Sequence, residues 1–194
     1  DEPFDLTKRF LDQAPGAFPG FSLLSAFGES APSNLDLQRQ GRVLPFPFHF
    51  LNNNKAMNVR PKNYSWPDFY DHVIDLTQYA VSPKRIIRRF MGTKLNTSRW
   101  INLIRAVSSE GWGRIKFYKQ VRGLLDTDRP LRAFFEGETT KVPDFYTNLV
   151  KKELGSLYHF LPAGAMDHDP NAYMRKTASA PSPIPLAVPI PQPA

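Results

Sequence analysis

The chain has 194 residues, with 25 Lys+Arg, 18 Asp+Glu, 19 Pro and no Cys. This length suits one domain, or one domain with appendages, and a 41% hydrophobic, 13% aromatic composition excludes wholesale disorder. Zero cysteine excludes, for this chain, disulfide scaffolds, thiolate zinc sites, cysteine nucleophiles and cysteine-ligated iron–sulfur clusters. No apolar run approaches the roughly 20 residues of a membrane span, and no secretory pattern follows Asp1. A cytoplasmic chain is expected, and a first residue other than Met is what a processed chain or a piece of a longer one would show.

The net charge of +7 is unevenly placed. Residues 1–54 carry 4 basic and 6 acidic side chains, residues 55–125 carry 14 and 4, and residues 126–194 carry 7 and 8. All the positive excess therefore lies in one central block, which could attract nucleic acid, an anionic cofactor or an acidic protein face, or simply form solvated helix surfaces.

In chain order, Asp5–Gln13 reads as a short helix with Leu6, Phe10 and Leu11 on one face, ended by Ala14-Pro-Gly. Phe21–Phe27, a short apolar run after Pro19-Gly20, predicts a buried strand. Helix, tight break and strand together make one αβ step of a parallel sheet or barrel, which cannot close a sheet alone. Asn34–Gln40 suits one or two helical turns. Across residues 42–54, two prolines two positions apart exclude a regular helix and leave an irregular segment.

After Tyr64 the pattern turns helical. Ser65 is placed as an N-cap, with Pro67 and Asp68 in the first turn. Trp66, Phe69, Tyr70, Val73, Ile74 and Thr77 follow at helical spacing. A second helix opens at Ser82-Pro83 and ends at Gly92, with Ile86, Ile87 and Phe90 apolar and Lys84, Arg85, Arg88 and Arg89 basic. A third opens at Thr97 or Ser98, with Trp100, Ile101, Ile104 and Val107, and Gly111 and Gly113 punctuate it. Arg114–Leu125, Asp128–Phe135 and Pro143–Leu161 complete the set, the last with Phe145, Leu149, Leu154, Leu157 and Tyr158 inward. Thr177–Ala194 has six prolines and no charge, the composition of an extended, disordered tail.

Four histidines are present: His49, His72, His159 and His168. No HExxH pattern, no GxSxG elbow and no glycine-rich phosphate loop accompanies them, so no catalytic or metal-ligating residue is assigned. His168, in Asp167-His-Asp-Pro170, fits an Asp-capped surface turn. His72 fits a helix surface. The most suggestive group is His49 with Asn52, Asn53 and Asn54. Asn amides both donate and accept, so such a cluster can hold a polar substrate; equally, Asn caps turns and tolerates left-handed backbone. Lys84, Arg85, Arg88, Arg89, Arg99, Arg105, Arg114, Lys116, Lys119 and Arg122 have the chemistry to neutralise phosphates. The aromatics among them sit at helix-core spacing rather than on a stacking platform, which disfavours nucleic acid.

The run Phe21–Phe27, then Gly28-Glu-Ser-Ala-Pro32 and Gln40-Gly-Arg-Val-Leu44, resembles the late barrel region of radical SAM enzymes. Residues 46–54, Pro61–Tyr70 and Phe135–Thr140 look like the C-terminal extension of one such group, whose members often carry an N-terminal cobalamin-binding domain. The resemblance covers residues 1–175. It implies S-adenosylmethionine cleaved by a 4Fe-4S cluster on CxxxCxxC, with cobalamin as a further cofactor in part of the group. This chain has no cysteine and departs from that pattern. Sites of barrels gather just after strand ends, which points to Gly28, Glu29 and Ser30 for cofactor contacts and to His49, Asn52, Asn53 and Asn54 for substrate.

The expected fold is therefore mainly α. Residues 1–54 would form the end of a partial β/α barrel, 55–176 a helical C-terminal domain and 177–194 a disordered tail. The expected function is the substrate-covering C-terminal portion of a radical SAM enzyme acting on a small molecule, partnered by the missing barrel portion. The competing expectation is a stand-alone basic helical module binding nucleic acid or an acidic protein.

Overall fold

A computed structural model describes residues 2–26, 31–47, 50 and 56–167. The proline-rich segment 177–194 and His168 lie outside the described residues. The fold is mainly helical. Helices α1 (Glu2–Gln13), α2 (Pro32–Arg39), α3 (Trp66–Ala80), α4 (Pro83–Gly92), α5 (Asn96–Val107), α6 (Trp112–Thr127), α7 (Arg129–Glu136) and α8 (Asp144–Leu154) follow in order, with a 3₁₀ segment Gly155–Phe160 after α8.

Local chemistry explains most helix boundaries. The Ser65 hydroxyl accepts from the Asp68 amide at 3.2 Å, and Pro67 sits in the first turn of α3. Asp128 caps α7 by accepting from the Leu131 amide at 3.0 Å, and Gly137, at φ 78°, closes it in the left-handed conformation. Pro32 and Pro83 open α2 and α4.

The expected αβ step does not appear. Residues 21–26 form no strand, and the one described β-type contact is an isolated bridge between Val43 and Val59. The apolar run is buried all the same at Leu23 and Ala26. Its hydrogen bonds go to a side chain instead of a neighbouring strand. The Ala26 amide donates to Asn58 Oδ1 at 2.7 Å, and Asn58 Nδ2 donates to the Ala26 carbonyl at 2.8 Å. Asn58 is wholly buried, and its own carbonyl accepts from the Leu44 amide at 2.7 Å. One side chain thus stands in for a ladder partner and joins three chain segments.

The core lies where α3, α6, α7 and α8 meet the irregular stretch around Phe46. Phe46 packs edge-on against Phe134 and Tyr146, with ring centroids 4.7 and 5.0 Å apart. Trp66 packs on Phe135 at 4.6 Å, and its indole N–H donates to the Phe135 carbonyl at 2.8 Å. Leu23, Ala26, Leu44 and Phe50 belong to this same core.

Three faces differ from the sequence pattern. On α1 only Leu11 is buried, against Leu76 and Ala80, while Leu6 and Phe10 are exposed. On α4 the buried residue is Arg89, and Ile87 is exposed. On α5 Trp100, Ile101, Ile104 and Val107 are all exposed, and Ala106 is the buried residue. The expected helix Pro143–Leu161 breaks at Gly155, which takes φ 53°. The chain then tightens into the 3₁₀ turn, leaving Leu157 exposed while Tyr146 and Val150 stay inside.

Gly111, between α5 and α6, has no room for a side chain. A Cβ there would lie 1.9 Å from the Ala106 carbonyl oxygen and 2.6 Å from its carbon. Backbone cannot swing aside as a side chain can, so Gly111→Ala is expected to cost about 1–3 kcal/mol. Urea denaturation followed by helical circular dichroism measures it. The substitution Gly123→Ala, where a Cβ meets nothing within 4 Å, is the matched control and is expected to be neutral or slightly stabilising.

Candidate functional site

The sequence-predicted contact residues Gly28, Glu29, Ser30, His49, Asn52, Asn53 and Asn54 lie outside the described residues. The described residues that flank them, Ala26 and Ala56, are brought side by side through Asn58 and through a Ser25 hydroxyl–Ala56 carbonyl contact of 3.5 Å.

A cleft of about 470 Å³ opens next to that junction. Its walls come from four places in the chain. Phe4 of α1 forms one side and residues 20–24 another. Met57 and residues 61–64 form the third. Phe69, Val73 and Leu76 of α3, with Tyr118 of α6, form the floor. The volume matches a small organic ligand. Among the described residues the walls are mostly apolar, no carboxylate lines them, and the charged groups are Arg42 and Lys62.

The Tyr118 side chain is wholly buried, and its hydroxyl has no hydrogen-bond partner among the described residues. Burial pushes its phenol above the usual range, with Arg114 pulling in the opposite direction. Arg114 is itself fixed, donating to the Phe21 carbonyl at 2.6 Å. A buried hydroxyl without a partner costs about 1–3 kcal/mol. Tyr118 borders the cleft with its hydroxyl closed to solvent, so a ligand's polar atom reaches it only by displacing lining side chains. The sequence pattern put Phe69, Val73 and their neighbours on a core stripe and left Tyr118 unremarked. The missing signal was a polar-tipped aromatic in the middle of a helix otherwise read only by its charges.

Several arginines of the basic block hold the fold together. Arg85 pairs with Asp12 and stacks on the Tyr79 ring at 4.2 Å, and the Tyr79 hydroxyl donates to Asp12 at 2.9 Å. Burial lowers the Arg85 pKa from its ordinary value, with Arg88 acting in the same direction. Arg89 donates to the carbonyls of Ala17 and Ala80 at 2.8 and 3.0 Å and lies over the Phe18 ring. Arg122 bridges Asp71, at 3.0 Å, and Asp126, and Arg105 pairs with Glu110. Lys84, Arg88, Lys94, Lys116 and Lys119 of the block are exposed.

Among the described residues no group of three His, Asp or Glu side chains could hold a metal ion. His72 is stacked on Phe4, centroids 4.8 Å apart, and serves the α1–α3 contact. No described helix is long and apolar enough to cross a membrane. No family model, curated protein or solved structure matches the chain.

Proposed function

We propose that this chain is the substrate-covering portion of a radical SAM enzyme and that the cleft beside Tyr118 receives a small, mainly apolar molecule with an acidic group. The observation that carries the binding reading is the orphaned Tyr118 hydroxyl bordering an apolar cleft that has, among the described residues, two cations and no carboxylate at its walls. The class of enzyme rests on the resemblance of residues 21–44 and 61–70 to the barrel end and C-terminal extension of that family.

The residues present do not fit the family's cluster. A 4Fe-4S cluster of that kind is held by cysteine thiolates, and this chain has none. S-adenosylmethionine cleavage therefore belongs to a part of the enzyme outside this sequence. The contribution of these residues is to bind, orient and exclude water. Arg42 and Lys62 would attract the acidic end, Phe4, Phe69 and Val73 would cover the apolar body, and the Tyr118 hydroxyl would fix one polar atom once lining side chains are displaced.

A fluorescent fatty acid of about eleven carbons, added to the chain, tests the cleft. Saturable binding is expected, weakened about fivefold to tenfold by Tyr118→Phe, the worth of one hydrogen bond, with the melting temperature held or slightly raised. Failure of the probe to bind, or binding indifferent to Tyr118→Phe and to Arg42→Gln, would overturn the cleft. The family is tested separately, by reading the coding DNA upstream of Asp1. A CxxxCxxC-encoding region in frame is expected there, and an in-frame stop without one would sink the assignment.

A further inference from the structure

Helices α4 and α5 pack mainly on each other and touch the rest of the fold lightly. Their polarity is inverted relative to an ordinary surface pair. The buried anchor of α4 is Arg89, held by two backbone carbonyls and the face of Phe18. The outer positions Lys84, Ile87, Arg88 and Met91 fall at i, i+3, i+4 and i+7, one stripe of a helix, and all four are exposed. On α5 the stripe Trp100, Ile101, Ile104 and Val107 is exposed likewise, and Leu95 projects from the connection between the helices. Phe90 and Trp100 meet edge to face at 5.2 Å and link the two stripes.

The charge along this stretch of chain has one sign, and the carboxylates that reach it, Asp12 and Glu110, are paired with Arg85 and Arg105. Residues 76–109, 34 in all, contain seven Lys and Arg and no Asp or Glu. Of the seven, Arg85, Arg89, Arg99 and Arg105 are engaged by the fold. Lys84, Arg88 and Lys94 are exposed beside the apolar stripes. Exposed apolar side chains including a tryptophan, flanked by exposed lysine and arginine, have the composition of a helix that lies in the headgroup layer of an anionic bilayer. An acidic protein partner would satisfy the cations. It would not by itself explain apolar projections on both helices and at the connection between them, which suit a soft, extended acyl boundary.

We propose that the α4–α5 hairpin docks this chain on the surface of a membrane containing anionic lipid, with Ile87, Met91, Leu95, Trp100 and Ile104 entering the headgroup–acyl boundary and Lys84, Arg88 and Lys94 facing lipid phosphates. Docking of this kind lies on the bilayer and needs no spanning helix.

The test is co-sedimentation of the full chain with vesicles of pure phosphatidylcholine and with vesicles containing 30% phosphatidylserine, read alongside tryptophan fluorescence. Binding only to the anionic vesicles is expected, with a blue shift that is lost in Trp100→Phe. Lys84→Gln/Arg88→Gln is expected to weaken partitioning about 30-fold, from roughly fivefold per cation at the surface. Ile87→Ser/Met91→Ser is expected to weaken it comparably. All these side chains are exposed, so the variants should keep the parent melting temperature. No binding to anionic vesicles, equal binding to neutral ones, or a dimer that the same serine variants dissolve while vesicles remain unbound would overturn the proposal.

Discussion

Asn58→Leu is expected to lower the stability of the fold by about 3–5 kcal/mol. The Asn58 side chain is wholly buried and makes both hydrogen bonds to the Ala26 backbone, at 2.7 and 2.8 Å. Leucine has nearly the same size but can neither donate nor accept. The Ala26 N–H and C=O would each be left buried without a partner, at about 1–3 kcal/mol apiece. Against a typical total of about 5–15 kcal/mol that is a severe loss. Urea denaturation should show a midpoint shifted well down with little change in slope, and amide exchange at Ala26 should accelerate before global unfolding. Because residues 20–24 wall the cleft, fatty-acid probe binding should fall as well. A cost under about 1 kcal/mol would mean that residues 21–26 are held by something other than Asn58. Replacing the exposed Asn63 by leucine is the control and is expected to change stability by less than about 0.5 kcal/mol.

Asn58 also marks the limit of what the sequence could disclose. The run Phe21–Phe27 has the length and apolarity of a buried strand, and its Leu23 and Ala26 are indeed inside. A strand, however, is defined by its partner, and the partner here is one amide 32 residues away. By contrast, the starts of α3, α4 and α7 were legible because capping by Ser65 and Asp128, and the fixed φ of Pro67 and Pro83, act within one turn. The long helix expected to Leu161 failed for a local reason too: Gly155 adopts a positive φ that ends α8 early.

The faces of α4 and α5 show what periodicity leaves open. Periodicity shows that a helix has two faces but not which of them a protein will bury. Arg89 is drawn inward because two carbonyls and the Phe18 ring accept its charge, and the apolar stripe is turned outward as a consequence. The cleft was invisible for a related reason. Phe4, Leu23, Tyr64 and Tyr118 are far apart in sequence and come together only through packing. A core stripe and a cleft floor carry the same residue types.

Above pH 10 the fold is expected to lose stability, by at most about 4 kcal/mol per pH unit if all three buried tyrosines stay protonated. Tyr70, Tyr118 and Tyr146 are wholly buried; the Tyr118 hydroxyl has no partner among the described residues, and the hydroxyls of Tyr70 and Tyr146 face each other. Burial raises the pKa of all three, and for Tyr70 the neighbouring Tyr146 and Tyr118 add to the effect. The sign follows from the acid form being the one the fold holds. Below the unfolded tyrosine pKa of about 10 both states are protonated and nothing is lost. Between that value and each raised folded-state pKa the unfolded chain releases protons that the folded chain retains, so in that window each group contributes at most about 1.4 kcal/mol per pH unit to unfolding. A domain of ordinary stability would then unfold within about two to three units of pH 10. Phenolate absorbance and helical circular dichroism, followed together, provide the measurement. Three of the seven tyrosines should ionise only in step with the loss of helix. Ionisation of all seven before the helices melt would show these hydroxyls to be open to water. Tyr70→Phe/Tyr146→Phe removes two of the three groups, so its alkaline slope should fall to about one third. At neutral pH the same variant should match the parent to within about 1 kcal/mol, since it deletes two buried hydroxyls that have only each other as partner.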